Sequence, residues 1–472
     1  MLSDFLIEQI KKNFQFEPTG EQYKVLEKWS DFLYARENHS LFLLKGYAGT
    51  GKSSLVGAIV KTLNELKQKS VLLAPTGRAA KVFSAYSGQN AYTIHKKIYR
   101  QKEFSNEPTG FVLAENLHKH TLFIVDEASM ISNDGLDSSF FGSGRLLNDL
   151  IHYVYSGEGC RLVLLGDSAQ LPPVSQPESP ALELTVLQGY GLDIYSMTLT
   201  EVVRQAKTSG ILTNATLLRR KMETGKTDGF PKLNAQSGAD VQIVNGEDLL
   251  EVIQDAYHRD GLDETIIITR SNKRANGFNN AIRNRILYRE EELTAGDLLM
   301  VVKNNYFWAK EEEAMDFIAN GDLMEILRVR RTQELYGFHF CDIMVRFPDY
   351  NTEMDLKILL ETLHTDSPAL PKELNDKLFY AILEDYADIP GKREKMKQMK
   401  IDPFYNVVQV KYAYAVTCHK AQGGQWKNVF LDLSYIPQDQ LGIDFYRWLY
   451  TAFTRATERL YLINPVKELL EK

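Results

Sequence analysis

The stretch that decides the fold of this chain reads Gly46-Tyr47-Ala48-Gly49-Thr50-Gly51-Lys52-Ser53-Ser54. It follows a short apolar segment and precedes a helical one, which is the context of the pattern G-x-x-x-x-G-K-[ST]. Glycines let backbone N–H groups turn toward phosphate oxygens, and the N-terminus of the next helix adds positive potential. Lys52 can reach the β- and γ-phosphates of a nucleoside triphosphate, and Ser53 can ligate Mg²⁺. We therefore predict that these residues, apart from Tyr47, bind a nucleotide and its Mg²⁺.

Short apolar segments alternate with helical segments on both sides of this motif. Candidate strands in the first half are 41–44, 71–74, 122–125 and 161–165. Candidate strands in the second half are 265–269, 298–302, 323–327, 413–416, 429–433 and 460–463. This alternation is typical of parallel sheets covered by helices, which bind ligands at the carboxyl ends of their strands. The sequence therefore predicts an α/β chain with two parallel sheets.

The length of 472 residues is too great for one ordinary hydrophobic core. Residues 337–347 alternate like a strand, residues 353–389 are helical in character, and residues 404–414 are again strand-like. These segments interrupt the pattern of the second half and indicate an insertion. The predicted division is a first lobe at 1–205 with an insertion at about 86–120, and a second lobe at 206–472 with an insertion at about 330–411.

Composition and charge limit the classes of function. The formal net charge is −7, so the chain cannot coat nucleic acid indiscriminately and would need a local basic groove to bind it. Its three cysteines are far apart and lack metal-ligand spacing, which indicates no zinc or iron–sulfur site and fits a reducing compartment. No apolar run approaches the ~20 residues that span a bilayer. We expect a soluble, cytoplasmic protein without a membrane partner.

Two polar loops follow candidate strands at the edge where the phosphate motif lies. Asp126 and Glu127 end the strand 122–125; a carboxylate there suits Mg²⁺, and the adjacent one can orient and deprotonate an attacking water. Gln170 lies in the loop after the strand 161–165, where its amide could sense the γ-phosphate by hydrogen bonding. Each loop alone also fits an ordinary solvated turn, so these roles depend on the neighbouring phosphate motif.

Six further segments occur in order along the chain. They read Thr19-Gly-Glu-Gln22, Leu73-Ala-Pro-Thr76-Gly-Arg78-Ala-Ala-Lys81, Thr93-Ile-His95, Leu199-Thr-Glu201-Val-Val-Arg204-Gln205, Thr417-Cys-His419-Lys420-Ala-Gln422-Gly423 and Tyr450-Thr451-Ala-Phe-Thr454-Arg455-Ala456. With the phosphate motif, they make the chain resemble the superfamily 1 helicases of the B subgroup, the RecD-like and phage Dda-like branch. The matches cover most of the chain, and their production in this order by chance is implausible.

The resemblance implies a fold and an activity. The fold would be two RecA-like, parallel-sheet P-loop lobes, with a small β-hairpin insertion in the first lobe and an SH3-like β-barrel insertion in the second. The activity would be that of an ATP-dependent DNA helicase that moves 5′ to 3′ on single-stranded DNA, binds duplex–single-strand junctions, and works in DNA repair or recombination. The residues alone leave open an RNA or RNA–DNA hybrid helicase, since backbone contacts do not discriminate sugars. A non-motor P-loop switch is the other alternative.

The resemblance also assigns residues of the ATP site. Gln22 resembles the glutamine that reads adenine, and Arg204 resembles an arginine that reaches the γ-phosphate. Arg455 resembles another such arginine, and it lies hundreds of residues from Lys52, so it can serve hydrolysis only if a second lobe folds against the first. An arginine delivered in this way neutralises charge on the transferred phosphoryl group. The ATP site would then lie in a cleft that opens and closes with nucleotide state. A surface ion pair is the alternative interpretation of each arginine.

Short polar and basic groups near predicted strand ends would hold a nucleic-acid strand. Those in the family-like segments are Thr76, Arg78, His95, Thr417, His419 and Lys420. Single strands also stack their bases on aromatic rings. Phe83 is a candidate for this contact, together with Tyr86 and Tyr92, and packing beneath the first-lobe insertion is an equally good interpretation.

Overall fold

The computed structural model describes residues 2–35, 39–101, 111–135, 142–203, 209–235, 240–309, 315 and 317–471. Its strands, numbered along the chain, are β1 Ser40–Gly46, β2 Ser70–Ala74, β3 Ala91–Thr93, β4 Tyr99–Gln101, β5 Phe111–Leu113, β6 Leu122–Val125, β7 Arg161–Gly166, β8 Asp193–Leu199, β9 Val241–Val244, β10 Thr265–Thr269, β11 Leu298–Val301, β12 Leu323–Leu335, β13 Phe338–Phe347, β14 Thr352–Leu359, β15 Val408–Tyr412, β16 Ala415–Thr417, β17 Trp426–Asp432 and β18 Ala456–Ile463. Its helices are α1 Leu2–Asn13, α2 Gly20–Tyr34, α3 Lys52–Glu65, α4 Gly77–Ser87, α5 Ile94–Ile98, α6 Leu146–Ser156, α7 Leu184–Gln188, α8 Gly210–Glu223, α9 Leu249–Asp260, α10 Asn272–Arg285, α11 Glu361–His364, α12 Lys372–Glu384, α13 Lys392–Met399, α14 Cys418–Ala421 and α15 Ile443–Phe453. None of the helices in these ranges combines the length and the apolar character of a transmembrane span.

Strands of the first half form a six-stranded sheet in the order β3-β2-β6-β7-β1-β8. Every neighbouring pair in it is parallel. β1 lies inside the sheet, and its apolar side chains alternate between two cores: Leu41 and Leu43 pack on one face, Phe42 and Leu44 on the other. A strand covered on both faces needs such a continuous apolar run. The sheet therefore explains why the segment before the phosphate motif is apolar at successive positions.

Strands of the second half form a five-stranded parallel sheet in the order β16-β10-β17-β18-β9. β10 is buried along its whole length, with Ile267 facing one core and Ile266 and Ile268 facing the other. The predicted strand at 265–269 coincides with β10, as the predicted strand at 122–125 coincides with β6. The fold class of two helix-covered parallel sheets is confirmed.

A closed barrel of β11, β12, β13, β14 and β15 is inserted into the second half. Two predicted strands, 298–302 and 323–327, were assigned by the sequence to the second parallel sheet, and this assignment is wrong because both lie in the barrel. β11 pairs antiparallel with β12 and with β15, which the parallel sheet does not allow. The barrel therefore begins at Leu298, well before the predicted insertion boundary at about residue 330.

The prediction of a continuous helical segment at 353–389 is wrong over its first part. β14 occupies Thr352–Leu359, and its apolar residues Met354, Leu356 and Ile358 are buried on the barrel interior at every second position. That spacing has the period of a strand rather than a helix. α11 and α12 begin only after this strand.

The turn between β13 and β14 connects the barrel to the first sheet's helices. Lys81 of α4 lies with its Nζ 3.3 Å from Asp349 Oδ1 in this turn. The Tyr350 ring lies against Gly77, where an added Cβ would be 2.5 Å from the tyrosine hydroxyl oxygen. The barrel thus contacts the N-terminal half of α4 directly.

The predicted first-lobe insertion at about 86–120 is only partly a separate unit. β4 and β5 form a two-stranded antiparallel sheet, and the residues between them, 102–110, lie outside the described residues. β3, however, pairs with β2 and belongs to the six-stranded sheet. We call residues 2–203 the first lobe and residues 209–471 the second lobe; the predicted boundary near residue 205 falls in a segment outside the described ranges.

Candidate nucleotide site and nucleic-acid interface

The phosphate motif forms the loop between β1 and α3. Gly49 and Gly51 adopt left-handed backbone conformations, with φ of +76° and +73°, which residues with a Cβ rarely adopt. α3 begins at Lys52, directly after Gly51, so the positive end of its dipole faces the loop. A Cβ on Gly51 would lie 2.6 Å from the Gln22 side-chain nitrogen. The loop therefore has the conformation that the sequence pattern requires for phosphate binding.

A cleft of about 370 Å³ over this loop is lined by both lobes. Lining residues of the first lobe include Gly46, Ala48, Gly49, Gly51, Lys52, Ser53, Ser54, Glu127, Asp167 and Gln170. Lining residues of the second lobe include Gln425, Thr454, Arg455, Ala456 and Thr457. The structure therefore brings Lys52 and Arg455 into one cleft. Thr50 is buried behind the loop, where its hydroxyl donates to the Tyr47 carbonyl at 2.8 Å.

Arg455 is held in the cleft by the second lobe and faces a carboxylate of the first. Its Nε donates to the Thr451 carbonyl at 3.1 Å and its Nη1 donates to the Gly424 carbonyl at 3.1 Å. The same Nη1 lies 3.8 Å from Glu127 Oε1, and the guanidinium is almost fully buried. Burial raises the pKa of the Glu127 carboxyl, and the Arg455 charge opposes that rise. The guanidinium therefore lies where it can neutralise negative charge in the cleft.

Two acceptor atoms in the cleft have no hydrogen-bond partner within the described part of the chain. They are Oε2 of Glu127 and Oε1 of Gln170, and both are buried. A buried acceptor without a partner costs about 1–3 kcal/mol, so such atoms usually face a water or a ligand. The two orphaned oxygens and the adjacent lysine and arginine fit a bound nucleoside triphosphate and its attacking water.

Asp126 is predicted to ligate Mg²⁺ together with Ser53, and of these two residues only Ser53 lines the cleft. Asp126 is nearly buried, its Oδ1 accepts the backbone N–H of Glu127 at 2.8 Å, and its Oδ2 accepts the hydroxyl of Tyr86. Across the described ranges, no cluster of three or more His, Cys, Asp or Glu side chains is arranged to hold a metal. Mg²⁺ at a nucleotide site needs only one or two protein ligands in addition to phosphate oxygens and waters. The residues present are compatible with that form of Mg²⁺ binding.

Gln22 is buried beside the phosphate loop. Its Nε2 donates to the Thr50 carbonyl at 2.9 Å, and its Oε1 accepts the Thr19 N–H at 2.9 Å as part of the capping box of α2. An amide has a second N–H and a second lone pair, which leaves it capacity for a base. The structure therefore shows that Gln22 braces the loop, and its contact with adenine stays a prediction. Arg204 lies in the segment 204–208, outside the described residues.

Four residues make cross-lobe contacts that the sequence analysis does not assign. They are Gln422, directly after α14, and Arg447, Tyr450 and Thr451 of α15. The Tyr450 hydroxyl contacts Asp167 and Ala48, and the Thr451 hydroxyl accepts the Leu171 N–H at 2.9 Å. The other two contacts are Gln422 Nε2 to the Leu171 carbonyl at 2.8 Å and Arg447 Nη1 to the Pro177 carbonyl at 2.7 Å. All but Arg447 lie in segments already quoted for the family resemblance, and that position was the only available signal. The lobes are therefore joined directly beside the cleft.

Thr76 and His95 share a second, smaller cavity in the first lobe. The cavity of about 200 Å³ is also lined by Met130 and Ser132 and lies at the carboxyl ends of β2 and β3. The Thr76 hydroxyl caps α4 by accepting the Ala79 N–H at 3.2 Å. Burial lowers the pKa of His95 to about 4, so the ring is neutral at physiological pH. Both groups can donate or accept hydrogen bonds there without carrying charge.

The contact of Arg78 with nucleic acid stays a prediction, and in the structure its contacts are with the second lobe. Its guanidinium lies 4.4 Å from the centre of the Trp426 ring, and its Nη2 donates to the Gln425 carbonyl at 3.2 Å. Trp426 and Gln425 belong to the second lobe, so Arg78 joins the two lobes. The direction of a side chain on α4 cannot be read from the motif alone.

The prediction that Phe83 stacks on a base is wrong. Phe83 is 0% exposed and lies in the core beneath the first sheet, stacked on Tyr86 with ring centres 5.1 Å apart. Ala79, Ala80 and Phe83 have the spacing of one helix face, and that face packs on the sheet. Phe83 and Tyr86 do pack, but in the core under the first sheet and not beneath the first-lobe insertion. Tyr92 is 41% exposed.

Thr417, His419 and Lys420 lie at the start of α14, opposite α4 of the first lobe. His419 is exposed, and Lys420 is half-buried. Burial and the nearby Lys411 charge lower the pKa of Lys420 to about 8, so most copies keep their charge at neutral pH. The lobes meet closely here, because a Cβ added to Gly423 would lie 2.8 Å from Ala79 Cβ. The predicted gripping groups of the two lobes thus lie near one junction.

Family models match both halves of the chain. Residues 33–240 match a model described as an AAA domain, and residues 412–463 match a model described as a UvrD-like helicase C-terminal domain. The first of these covers the phosphate loop, and the second covers the segment that contains Arg455. The matches therefore include both sides of the cleft.

The chain is also similar to curated proteins and solved structures. An uncharacterised protein of Acanthamoeba polyphaga mimivirus is 23% identical over 90% of this chain and 95% of its own length. The ATP-dependent RecD2 DNA helicase of Deinococcus radiodurans is 31% identical, over 39% of this chain and 22% of its own length. The ATP-dependent DNA helicase dda of Enterobacteria phage T4 is 27% identical, over 55% of each chain. A crystal structure of Pif1 helicase from Bacteroides in complex with ADP-AlF3 and ssDNA aligns over 97% of this chain and 95% of that chain, with 14% identity and a TM-score of 0.46.

The alignments with the two named helicases cover only part of those proteins. The ordered motifs, the two family models and the two named helicases indicate the same group. The chain is similar to the superfamily 1B helicases of the RecD and Dda type.

Proposed function

We propose that this protein is an ATP-dependent DNA helicase that translocates 5′ to 3′ on single-stranded DNA and unwinds duplex DNA. The observation that carries the proposal is the cleft shared by Lys52 of the first lobe and Arg455 of the second. A nucleotide held between two lobes can couple its hydrolysis to their relative movement, which a site within one lobe cannot do. The direction of movement rests on the family and on nothing in the geometry.

Each residue proposed for the ATP site contributes to hydrolysis what its side-chain chemistry allows. Lys52 binds the β- and γ-phosphates as a point charge, and Ser53 and Asp126 would hold Mg²⁺, which offsets phosphate charge when bound. Glu127 orients the attacking water and takes its proton. Burial raises the pKa of this carboxyl, which makes its carboxylate a stronger base. Arg455 neutralises the charge that develops on the transferred group.

The remaining predicted residues of the site respond to the nucleotide. Gln170 places an orphaned acceptor and its amide N–H groups in the cleft, where the amide can hydrogen-bond the γ-phosphate or the water. Arg204 supplies a second positive charge to the same phosphate. Gln22 binds the base with the second N–H and the second lone pair of its side-chain amide, because the first N–H already bonds to the phosphate loop.

Single-stranded DNA would cross both lobes on the side of the α4–α14 junction. Thr76 and His95 bind phosphates from the first lobe, and Thr417, His419 and Lys420 bind them from the second. Because each lobe holds its own set, closure and opening of the cleft alternate the grip and move the strand. The first-lobe insertion, which contains β4 and β5, would separate duplex strands at a junction, a role that rests on the family resemblance.

The proposal is tested with duplexes that carry matched 5′ or 3′ single-stranded tails, made of DNA or of RNA. The wild-type protein should unwind the 5′-tailed DNA and require ATP. Unwinding of the RNA-tailed duplex alone would assign the protein to RNA, and ATPase activity indifferent to any strand would indicate a non-motor switch.

Two arginine variants test the shared cleft in the same assay. Arg455→Ala should bind ATP but lose about 10³-fold or more in turnover, because the charge on the transferred phosphoryl group is no longer neutralised. Arg459→Ala is the matched control: Arg459 lies four residues further along the chain in β18, where it pairs with Asp260 at 3.3 Å, and it is not among the residues that line the cleft. Equal turnover in both variants would contradict the proposed site.

A further inference from the structure

Tyr450 lies on a face of α15 that points toward the first lobe. Arg447, Tyr450 and Thr451 have the spacing i, i+3 and i+4 and all contact first-lobe groups. Tyr446, one turn earlier, points instead into the second lobe, where its hydroxyl donates to the Gly229 carbonyl at 2.8 Å. One helix therefore carries two buried tyrosines whose hydroxyls bond to different lobes.

The Tyr450 hydroxyl makes two hydrogen bonds, both to residues that line the ATP cleft. It donates to Asp167 Oδ2 at 2.6 Å and accepts the backbone N–H of Ala48 at 2.8 Å. A phenol has one donor and can accept as well, so these two contacts use it fully. Burial and the Asp167 charge raise the pKa of Tyr450 well above its usual range, so the hydroxyl keeps the proton that it donates.

The two partners of this hydroxyl belong to different parts of the phosphate machinery. Ala48 is in the phosphate loop itself, and Asp167 lies three residues before Gln170 in the next loop of the first lobe. Asp167 is held further by the Ala169 N–H at 2.9 Å and lies close enough to Lys52 for the lysine charge to lower its pKa against the effect of burial. One hydroxyl of the second lobe thus fixes two first-lobe loops relative to each other.

This arrangement depends on closure of the lobes. If α15 moves away from the first lobe, Ala48 and Asp167 lose their common partner, whereas Lys52 and the loop glycines stay on the first lobe. Binding of ATP to the loop should survive that loss better than the chemical step, which needs both loops and Arg455 in register.

We propose that Tyr450 is a positioning residue for ATP hydrolysis: its hydroxyl holds the phosphate loop and the Asp167 loop in the arrangement for hydrolysis only when the second lobe is docked. This inference rests on the proposed ATPase function. It makes Tyr450 the residue that couples closure of the lobes to the arrangement of the phosphate loop and the Asp167 loop.

The test compares Tyr450→Phe with Tyr446→Phe in the full chain. Both tyrosines are 1% exposed, and each variant removes one buried hydroxyl from the same helix, so their thermal midpoints should fall by similar amounts. The kcat of DNA-stimulated ATP hydrolysis should fall on the order of 10- to 100-fold in Tyr450→Phe, as expected for loss of a hydrogen bond to a charged group, while the affinity for an ATP analogue changes much less. Tyr446→Phe should keep kcat within about twofold.

Asp167→Asn serves as a second variant that keeps side-chain volume, and it should also lose kcat in preference to ATP affinity. If the hydroxyl acts through Asp167, the double variant with Tyr450→Phe should be no slower than the slower single variant. Equal kcat losses in Tyr450→Phe and Tyr446→Phe, or wild-type kcat in Tyr450→Phe or Asp167→Asn, would overturn the inference. Wild-type protein without any DNA-stimulated ATPase would instead refute the proposed function.

Discussion

Replacing Asp322 by Asn should remove a pH dependence from the stability of this protein. Asp322 is buried just before β12, and its Oδ2 accepts the Ala319 N–H at 2.7 Å. Its Oδ1 accepts the hydroxyl of Tyr350 at 3.0 Å, and Tyr350 is the residue that packs on Gly77 of the first lobe. Burial raises the pKa of the Asp322 carboxyl to about 7, although both hydrogen bonds favour the ionised form.

The magnitude follows from the size of that rise. The folded protein keeps a proton that the unfolded chain loses at a pKa of 3.8, so stability is greatest below that value and is lost as the pH rises toward about 7. About three pKa units correspond to ~4 kcal/mol over the whole range. Roughly 2–3 kcal/mol of this falls between about pH 5 and pH 8. Asn does not titrate and keeps an oxygen for the Ala319 N–H, so the variant should lack this loss.

The assay is urea-induced unfolding of the wild type and of Asp322→Asn at several pH values, followed by circular dichroism. Only the difference between the two proteins at each pH is used, because other titrating groups then cancel. That difference should grow by roughly 2–3 kcal/mol in favour of the variant between about pH 5 and pH 8. Asp355→Asn is the control, since Asp355 lies on the same barrel with 57% of its side chain exposed and should show no such growth. A difference that is constant with pH would refute the reasoning.

Three substitutions test the predicted roles more briefly. Lys52→Ala should abolish ATP hydrolysis and unwinding, because the β- and γ-phosphates lose their point charge; undiminished turnover would exclude the site. Glu127→Gln should bind ATP with near wild-type affinity but hydrolyse it about 10²–10⁴-fold more slowly, as single-turnover kinetics would measure, since the water loses its base. His419→Ala should weaken the DNA stimulation of ATPase more than the basal rate, and equal loss of both would indicate a structural role for the ring.

The sequence predicts the parallel sheets well because their strands are continuous apolar runs that end at the motif loops. It fails where two structures share one pattern. β14 carries Met354, Leu356 and Ile358 at every second position, but the charged residues between them also fit a helix, and only pairing with β13 decides the matter. β11 has the same apolar character as a sheet strand, and its place in the barrel depends on antiparallel partners far along the chain.

The site is predictable to the extent that chemistry follows from local motifs. The loop around Lys52, the carboxylates after β6 and Arg455 are recognised from sequence, and the structure brings Lys52, Glu127 and Arg455 into one cleft. The sequence does not reveal the directions of the Arg78 and Phe83 side chains on α4, because the pattern of a single helix does not show which neighbour covers each face. The cross-lobe contacts of Tyr450 depend on how α15 docks and lie beyond any local pattern.

The cleft between the lobes has a consequence for stoichiometry. Many ring-shaped motors place the lysine and the arginine of one ATP site on neighbouring subunits, so that dilution or an inactive neighbour silences them. Here a single polypeptide contributes both Lys52 and Arg455 to the cleft. Each copy therefore carries a complete ATP site. Its ATP turnover per chain should not rise with protein concentration, and an inactive copy added to the mixture should not lower it.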